Sequence, residues 1–329
     1  MQHKNIVVLG TGGTIAGTAA SVSDNIGYTA AQVGVAQLVA AVPALAGANH
    51  LLLEQVAQID SKDMTFAVWV HLAARVQYFL ARADVQGVVI THGTDTLEET
   101  AYFLQAVLDP AKPVVLTCAM RPATSLIPDG PQNLMDAVAV AGHAGARGVV
   151  AVCAGVVHSS LDVQKVHTYQ LDAFSSGDAG PVAYVEEGAL RMLRNWPPWQ
   201  YIRGPHAIEL IAILAEATSG IGWPWVEVVM SYAGASGAVV DALCQAGVQG
   251  LVVAATGNGT LHHDLEAALL KAQSRGVSVV RATRCVNGRV LPKPGEALAD
   301  SQGLSPVKAR VALMLRLMLA GAVPGPGLR

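Results

Sequence analysis

Short apolar runs alternate with amphipathic helical stretches along most of this 329-residue chain. The runs are rich in Val, Ile and Leu, which is typical of strands buried on both faces of a parallel sheet. Parallel strands need crossover helices, so this alternation predicts an α/β fold. The predicted strands are residues 6–9, 51–59, 87–91, 114–118, 148–152, 226–230, 250–255 and 277–282, and the predicted helices are residues 64–83, 97–108, 131–142, 237–246, 262–274 and 305–319.

The regular alternation is interrupted once, near residue 195. Trp-Pro and Gly-Pro pairs break any regular element in residues 196–205, and a Trp-Pro-Trp triplet at 223–225 breaks the chain again. The length suits about two domains. We therefore predict a larger N-terminal domain of residues 1–192 with a mainly parallel sheet flanked by helices, a linker of residues 193–222, and a smaller parallel α/β domain of residues 223–329.

The hydropathy of the chain first suggests a membrane protein, since the mean hydropathy is +0.41 and 52% of the residues are hydrophobic. A spanning helix needs about 20 unbroken apolar residues. The longest apolar stretches are interrupted early, one by Pro43 and the other by Arg316. The hydropathy therefore indicates buried strands and covering helices. The apolar run after Lys4 is too short for a signal-peptide core, so we expect a cytoplasmic protein.

The charge balance and the cysteines exclude further classes. Lys and Arg total 21 against 24 Asp and Glu, with no basic run, which argues against a nucleic-acid partner. The four cysteines lie far apart and form no CxxC pair, so we expect buried free thiols rather than a zinc site. They are Cys118, Cys153, Cys244 and Cys285.

A glycine-rich turn, GTGGTIAG, follows the first predicted strand at residues 10–17. It is not a dinucleotide fingerprint, because Ile15 stands where the third glycine is needed, and it is not a P-loop, because Thr18 and Ala19 follow where Lys and Ser or Thr are needed. What remains is the hydroxyl of Thr14 on a turn that lets a ligand approach the backbone. A purely structural strand-to-helix turn is the alternative.

A second motif, THGTDT at residues 91–96, follows another buried strand. It places Thr94 and Asp95 at the carboxyl edge of the sheet, where ligands bind in such folds. We expect His92 to be a packing residue, and Thr96 to form a capping box with a glutamate three residues later. Farther on, Lys165 can act as the base of a threonine hydroxyl, although an isolated lysine is more often a surface residue.

The TGGTIAG and HGTDT motifs together resemble those of the bacterial L-asparaginase family. Each motif lies at the expected place in the chain, and residues 119–122, 129–134 and 257–259 agree with the same family. The resemblance covers nearly the whole chain and is strongest up to about residue 180. It is closest to the two-domain homotetrameric enzymes called type II.

The resemblance implies a catalytic set. Thr14 matches the nucleophile that attacks the side-chain amide, and Tyr28 matches the tyrosine that assists it. Residues 16–27 match a mobile lid. Thr94, Asp95 and Lys165 match a second cluster on the other side of the substrate amide. Threonine hydroxyls need such a base, and acyl transfer through a covalent intermediate divides amide hydrolysis into two easier steps.

The resemblance also implies a substrate-binding set: Ser61, Lys62, Thr94, Asp95, Asn258 and Glu296. Ser61 matches the residue that holds the α-carboxylate, and Asp95 would bind the α-amino group. Lys62 departs from the family, which usually has Gln or Glu there, so either Lys62 turns away or substrate selection differs. Asn258 matches a residue from a neighbouring subunit, and Glu296 is the nearest candidate for an acidic residue from that subunit.

These expectations lead to an L-asparaginase that makes L-aspartate and ammonia, with a dual glutaminase-asparaginase and a non-catalytic amino-acid sensor as alternatives. The resemblance implies a homotetramer, a dimer of dimers, whose buried interfaces would account for the high hydropathy. No metal or organic cofactor is expected. The run His262-His263-Asp264 is not predicted to bind metal, because neighbouring residues do not face one another on a helix.

Overall fold

The computed structural model describes residues 4–46, 50–196, 207–220, 222–291 and 293–322. The chain divides into two compact units, Met1–Ala215 and Glu216–Arg329. Most of the Trp- and Pro-rich stretch, residues 197–206, lies outside the described residues. In the remainder of the predicted linker the chain forms a helix, Ala207–Ser219.

The first unit is built on an eight-stranded sheet. Its central strands run parallel because helices connect them. The later strands are antiparallel; short turns join two of these pairs, and a longer segment, residues 160–182, joins the third. The order across the sheet is β10-β9-β6-β5-β4-β3-β1-β2, and β7 pairs with β8 in a separate ribbon. The strands are β1 Asn5–Gly12, β2 Leu51–Ile59, β3 Val85–Thr91, β4 Pro113–Thr117, β5 Gly148–Cys153, β6 Val156–Ser159, β7 Gln164–Lys165, β8 Phe174–Ser175, β9 Ala183–Glu186 and β10 Ala189–Met192.

Helices cover both faces of this sheet. They are α1 Val35–Ala40, α2 Pro43–Ala46, α3 Phe66–Leu80, α4 Leu97–Leu108 and α5 Gly130–Gly142. Val8, Val89 and Val115 point from neighbouring strands into one cluster with residues of α1 and α5. Successive side chains of a strand point to opposite faces. The intervening residues of these strands therefore face α3 and α4, which contact β3 and β5 respectively.

One buried contact fixes the start of α4, directly after the THGTDT motif. The Trp69 ring of α3 stacks on Phe103 of α4 with the ring centroids 4.8 Å apart. The indole Nε1 of Trp69 donates a hydrogen bond to Thr100 Oγ1 at 2.8 Å. A buried indole N–H needs a partner, so this bond holds the first turn of α4 in one position.

The second unit is a smaller parallel sheet of the order β11-β12-β13-β14. Its strands are β11 Val226–Met230, β12 Gly250–Ala255, β13 Ser278–Thr283 and β14 Ala299–Asp300. The chain boundary between the units falls within α6, Ala207–Ser219. The helices that follow are α7 Ala238–Gln245, α8 His263–Ser274 and α9 Pro306–Ala322. The apolar residues of α7 and α8 pack with β12 and β13 in one core.

The predicted fold class is confirmed: both units are α/β, the larger sheet is mostly parallel and the smaller one is parallel throughout. The sequence pattern missed the antiparallel strands β6, β9 and β10, which are only four residues long. It also missed α1, a six-residue helix. Among the described residues, no helix has the length and apolarity that crossing a membrane requires.

The cysteines divide into two kinds. Cys118 and Cys153 are buried at the ends of neighbouring strands with their sulfurs 3.1 Å apart, as expected for strand thiols. The adjacent Cys153 sulfur and burial raise the pKa of the Cys118 thiol. Cys244 is half-buried and Cys285 is exposed, so the expectation of burial is wrong for Cys285. Cys285 lies beyond the end of β13, where the chain no longer belongs to the sheet.

Candidate active site

Two glycine turns meet at the carboxyl edge of the larger sheet. Strand β1 lies between β2 and β3, so the turns that follow β1 and β3 are neighbours. Gly13 has a φ of 81° and lies so close to the other turn that a Cβ on it would be 2.3 Å from Gly93 Cα. A side chain at either position would push the turns apart. The glycines therefore allow Thr14 and Thr94, the next residue in each turn, to flank a direct backbone contact.

Thr14 forms the first hydroxyl cluster with Tyr28. Thr14 is buried in a short 3-10 helix, Thr14–Ala16, and its Oγ1 lies 2.6 Å from Tyr28 Oη. Gly17 makes room for the tyrosine ring, because a Cβ there would be 2.8 Å from Tyr28 Cδ2. An antiparallel bridge between Thr18 and Thr29 closes the base of the intervening segment. The structure thus brings this predicted pair into direct contact.

Lys165 joins Thr94 and Asp95 in the second cluster. Its Nζ donates to Thr94 Oγ1 at 2.8 Å and to Asp95 Oδ1 at 2.6 Å. Strand β7 presents Lys165, and the backbone N–H of Lys165 donates to Glu98 Oε1 in the first turn of α4. The lysine side chain is only 20% exposed, whereas the Asp95 side chain is 52% exposed. The three predicted residues are therefore brought together, with the carboxylate on the solvent side.

Ser61 supports the second turn from below. It is buried just after β2, and a Cβ on Gly93 would be 2.4 Å from its Oγ. The Ser61 hydroxyl accepts a hydrogen bond from the Asp95 backbone N–H at 3.2 Å. Thr96 Oγ1 donates to the Ser61 carbonyl at 2.8 Å and makes no capping bond to α4. The predicted capping box is wrong, because the Thr96 hydroxyl ties the two turns together instead.

The Lys62 side chain points towards Asp60 rather than towards Asp95 in the second cluster. Its Nζ lies 2.7 Å from Asp60 Oδ2, and its side chain is 63% exposed. The hydrogen bond and charge of Asp60, and more weakly the charge of Asp95, raise the pKa of Lys62. Of the two alternatives left open by the sequence, this geometry favours the one in which Lys62 turns away.

His92 is fully buried inside the second motif. Its Nδ1 lies 2.7 Å from the Gly93 carbonyl oxygen, and its Nε2 has no hydrogen-bond partner among the described residues. Burial lowers the pKa of His92 from 6.5 to about 4. The neutral imidazole that donates from Nδ1 therefore fixes the peptide between Gly93 and Thr94. This agrees with the expected packing role and adds a hydrogen bond that the sequence pattern does not reveal.

Asp129 and Asn133 also shape this edge, although no role was predicted for them. The Asp129 carboxylate accepts the backbone N–H groups of Met120 at 2.9 Å and Arg121 at 3.0 Å. Asn133 donates to the Cys118 carbonyl at 2.9 Å and accepts from Ala154 N at 2.9 Å. Both side chains rigidify the loop after β4. The only sequence signal for them is that residues 129–134 agree with the family pattern.

Asn258 and Glu296 lie in the second unit and are each engaged there. Asn258 Oδ1 accepts from Leu291 N at 2.7 Å. Glu296 accepts two hydrogen bonds from the Arg281 guanidinium, one of them from Nη1 at 3.0 Å. Those bonds hold the pKa of Glu296 below its usual value. Asn258 and Glu296 therefore hold the backbone at Leu291 and Lys293, and Pro292 between them lies outside the described residues.

The run His262-His263-Asp264 brings three metal-ligand types within 4.8 Å of one another. The argument that these residues cannot face one another is wrong, because His262 is the residue before α8 and not part of it. The two imidazoles stack with their centroids 4.4 Å apart. However, His262 Nδ1 already accepts the Asp264 backbone N–H, and His263 and Asp264 are exposed. The cluster is explained as a helix cap.

Comparison with known proteins gives the same assignment for both units. The family model described as asparaginase, N-terminal, matches residues 5–198, and the one described as glutaminase/asparaginase C-terminal domain matches residues 225–320. L-asparaginase 2 of Escherichia coli K12 is 38% identical over 95% of this chain and 88% of its own length. A glutaminase-asparaginase of Pseudomonas fluorescens biotype A is 37% identical over 95% and 86%. A solved structure, described as a probable cytoplasmic L-asparaginase from Campylobacter jejuni, has a TM-score of 0.84 at 37% identity and 95% coverage of both chains.

The buried imidazole predicts a specific pH dependence of stability. Because the pKa of His92 is about 4 in the folded state and 6.5 as an ordinary value, the unfolded chain binds a proton first as the pH falls. The stabilisation from His92 is thus complete above pH 6.5 and is lost as the pH falls towards 4, at about 1.4 kcal/mol per pH unit. We expect the His92→Asn variant to lose less free energy of unfolding than the unmutated protein between pH 7 and 5.

Urea unfolding at pH 7, 6 and 5 measures this difference. His71→Asn, a substitution of an exposed histidine on α3, is the matched control and should keep the pH dependence of the unmutated protein. Parallel stability curves for the unmutated protein and His92→Asn would show that His92 is not buried in its neutral form.

Proposed function

Because this chain belongs to the asparaginase family of amidohydrolases, we propose that it hydrolyses the side-chain amide of L-asparagine to L-aspartate and ammonia. The observation that carries the proposal is the pair of hydroxyl clusters on either side of the Gly13–Gly93 contact. One contains Thr14 and Tyr28, and the other contains Thr94 and Lys165. Two hydroxyls on neighbouring turns, each hydrogen-bonded to a group that can move its proton, suit acyl transfer to an enzyme oxygen followed by transfer to water.

In the first half-reaction we assign Thr14 as the nucleophile and Tyr28 as the relay that takes the Thr14 proton while passing its own hydroxyl proton to the amide nitrogen. The 2.6 Å contact between their oxygens is short enough for that transfer. The Thr14 Oγ1–carbon bond forms, the carbon–nitrogen bond of the amide breaks, and the proton leaves with ammonia. Backbone N–H groups in the turn around Thr94 are suited to stabilise the developing oxyanion.

In the second half-reaction we assign Thr94, Asp95 and Lys165 to the activation of water. As an ammonium, Lys165 donates to both oxygens and holds them in place. It becomes a base for the Thr94 hydroxyl only after it has lost a proton, and the adjacent carboxylate on the solvent side offers a route for that proton. The β-aspartyl ester on Thr14 is then hydrolysed, which regenerates the hydroxyl.

Ser61 and Asp95 are suited to bind the α-carboxylate and the α-ammonium group of the substrate. The Ser61 oxygen accepts the Asp95 N–H, which leaves the hydroxyl hydrogen to donate to an α-carboxylate. Asp95 is half exposed and negatively charged, and so suits an α-ammonium. These two partners distinguish an α-amino acid from a simple amide. They do not distinguish asparagine from glutamine, and the similarity to a named glutaminase-asparaginase keeps dual specificity as the second candidate.

Turnover of L-asparagine, L-glutamine and D-asparagine tests this proposal. We expect equal amounts of ammonia and L-aspartate from L-asparagine. The Thr14→Ala variant should be slower by about a thousandfold or more, because it has lost the nucleophile. Thr14→Ser, which keeps a hydroxyl, is the matched control. Equal rates for the unmutated protein and Thr14→Ala would contradict the proposal. Tight binding of L-aspartate by calorimetry without turnover would instead favour an amino-acid sensor.

Lys62 provides a test of substrate recognition. Its ammonium is held by Asp60 but still lies within the field of Asp95, where a substrate ammonium would bind. We expect Lys62→Gln to lower the KM for L-asparagine about two- to fivefold at unchanged kcat, because a like charge is removed. Asp60→Asn should raise KM because it frees the lysine, and Lys62→Arg should match the unmutated protein. An unchanged KM in all three variants would exclude an influence of Lys62 on substrate binding.

We further propose a homotetramer, a dimer of dimers, in which Asn258 and Glu296 serve a neighbour's site. The family resemblance and the mean hydropathy of +0.41 support extensive burial between subunits. Coexpression of Thr14→Ala with Asn258→Ala tests it, since each variant alone lacks one part of every site. Mixed tetramers should regain part of the activity, whereas no recovery would contradict shared sites. Glu296→Gln should cost less than Asn258→Ala, because Arg281 already neutralises Glu296.

We propose a cytoplasmic location, as in the description of the Campylobacter jejuni relative. Cell fractionation checks this part of the proposal. Ammonia-releasing activity in the cytoplasmic fraction is expected, and activity released with the periplasmic fraction would overturn it.

A further inference from the structure

Four hydrogen bonds fasten the lid, residues 16–27, to a second loop, residues 121–127. Two of them are backbone bonds, from Ala123 N to Gly17 O and from Leu126 N to Val22 O, both 2.9 Å long. The other two involve side chains of the second loop. Thr124 Oγ1 accepts from Ala19 N at 2.8 Å, and Ser125 Oγ donates to Asn25 Oδ1 at 2.8 Å.

Apart from Ala16 at its start, the lid has little apolar burial to hold it in place. Val22 is 56% exposed and Ile26 is 80% exposed. Inside the lid, Asp24 Oδ1 accepts the N–H groups of Ile26 at 2.9 Å and Gly27 at 2.7 Å, so the tip forms its own turn. A self-contained turn without buried side chains depends on hydrogen bonds to its surroundings for its position.

Hydrogen bonds at both of its ends hold the second loop in shape. Asp129 binds the backbone at its beginning, through Met120 N and Arg121 N. The Arg121 side chain donates from Nη1 to the Ile127 carbonyl at 3.2 Å and so joins the two ends of the loop. Ser125 N also donates to the Pro122 carbonyl at 2.9 Å. The loop therefore keeps its shape and can hold a more weakly anchored neighbour.

The lid in turn determines where Tyr28 lies, because Tyr28 directly follows it. Directly after Tyr28, the Thr18–Thr29 bridge joins the two ends of the lid, with N to O distances of 2.9 and 2.8 Å. The chain beyond the bridge is anchored separately, from Ala31 N to Gly13 O at 3.1 Å and from Gln32 N to Ala16 O at 2.6 Å, so a lid that leaves the second loop would turn about this bridge, next to Tyr28. The Tyr28 Oη would then no longer be held 2.6 Å from Thr14 Oγ1.

We propose that residues 121–127 are a latch, and that Thr124 and Ser125 are positioning residues that keep Tyr28 against Thr14 by holding the lid closed. The inference rests on the proposed function, since it gives the closed lid a role in the first half-reaction. Neither hydroxyl touches Thr14 or Tyr28; both act through the lid. Each side-chain bond contributes about a fivefold factor to the ratio of closed to open lid.

The test compares Thr124→Val, Ser125→Ala and the double variant in the full chain. Hydrogen exchange followed by mass spectrometry measures the lid amides, and steady-state kinetics with L-asparagine measure kcat and KM. We expect exchange of the lid amides to accelerate about fivefold in each single variant and more than tenfold in the double variant. Exchange follows the open fraction of the lid and kcat follows the closed fraction, so kcat should fall measurably only where the lid is open for a large part of the time, and most in the double variant.

Conservative variants separate positioning from simple loss of structure. Thr124→Ser and Ser125→Thr keep the hydroxyls and should restore both exchange and kcat. Ser274→Ala is the control, because it removes a surface hydroxyl of the second unit that donates to the Lys271 carbonyl of its own helix. The thermal midpoint should remain that of the unmutated protein in every variant, since the two hydroxyls support the lid and not the sheet.

Three results decide the matter. Unchanged lid exchange in the double variant would overturn the latch. An unchanged kcat in a double variant whose lid amides exchange almost as fast as those of an unfolded peptide would overturn its role in placing Tyr28, because that lid is mostly open. If the unmutated protein releases no ammonia, the proposed function fails, and the exchange measurement still tests the latch by itself.

Discussion

The backbone contact between Gly13 and Gly93 is the constraint on which the candidate site depends. Neighbouring parallel strands bring the two turns to the same edge of the sheet, but only residues without a Cβ let the turns touch. Each threonine directly follows one of these two glycines. Thr14 is hydrogen-bonded to Tyr28, and Thr94 is hydrogen-bonded to Lys165. Ser61 and His92 then fix the second turn through hydrogen bonds to its backbone, at Asp95 N and Gly93 O respectively.

Around this contact the site is asymmetric in its exposure. Both threonines are buried, each 6% exposed, whereas the Asp95 side chain is half exposed. Buried hydroxyls suit acyl transfer with little access for bulk water, and the exposed carboxylate suits capture of a charged amino acid from solvent. The latch would connect these requirements, because lid closure both excludes water and places Tyr28.

The sequence predicted the parallel core and the pairing of the two motifs because both depend on local signals: apolar runs, glycines after strands, and hydroxyl residues at fixed offsets. It did not predict the antiparallel strands β6, β9 and β10, which are too short to show a period. The failure of the capping box has a different cause, since the Thr96 hydroxyl reaches Ser61, 35 residues away in the chain. Likewise, the Asp60 partner of Lys62 and the latch bonds depend on side-chain directions that no periodicity encodes.

The central claim is that the two threonines have different tasks, with Thr14 forming the covalent bond and Thr94 activating water. Rapid acid quenching during turnover of L-asparagine, followed by peptide mass spectrometry, measures this directly. The claim predicts a β-aspartyl group on the peptide that contains Thr14, accumulating further in Lys165→Met because its hydrolysis is slowed. A β-aspartyl group on the peptide that contains Thr94 would contradict it.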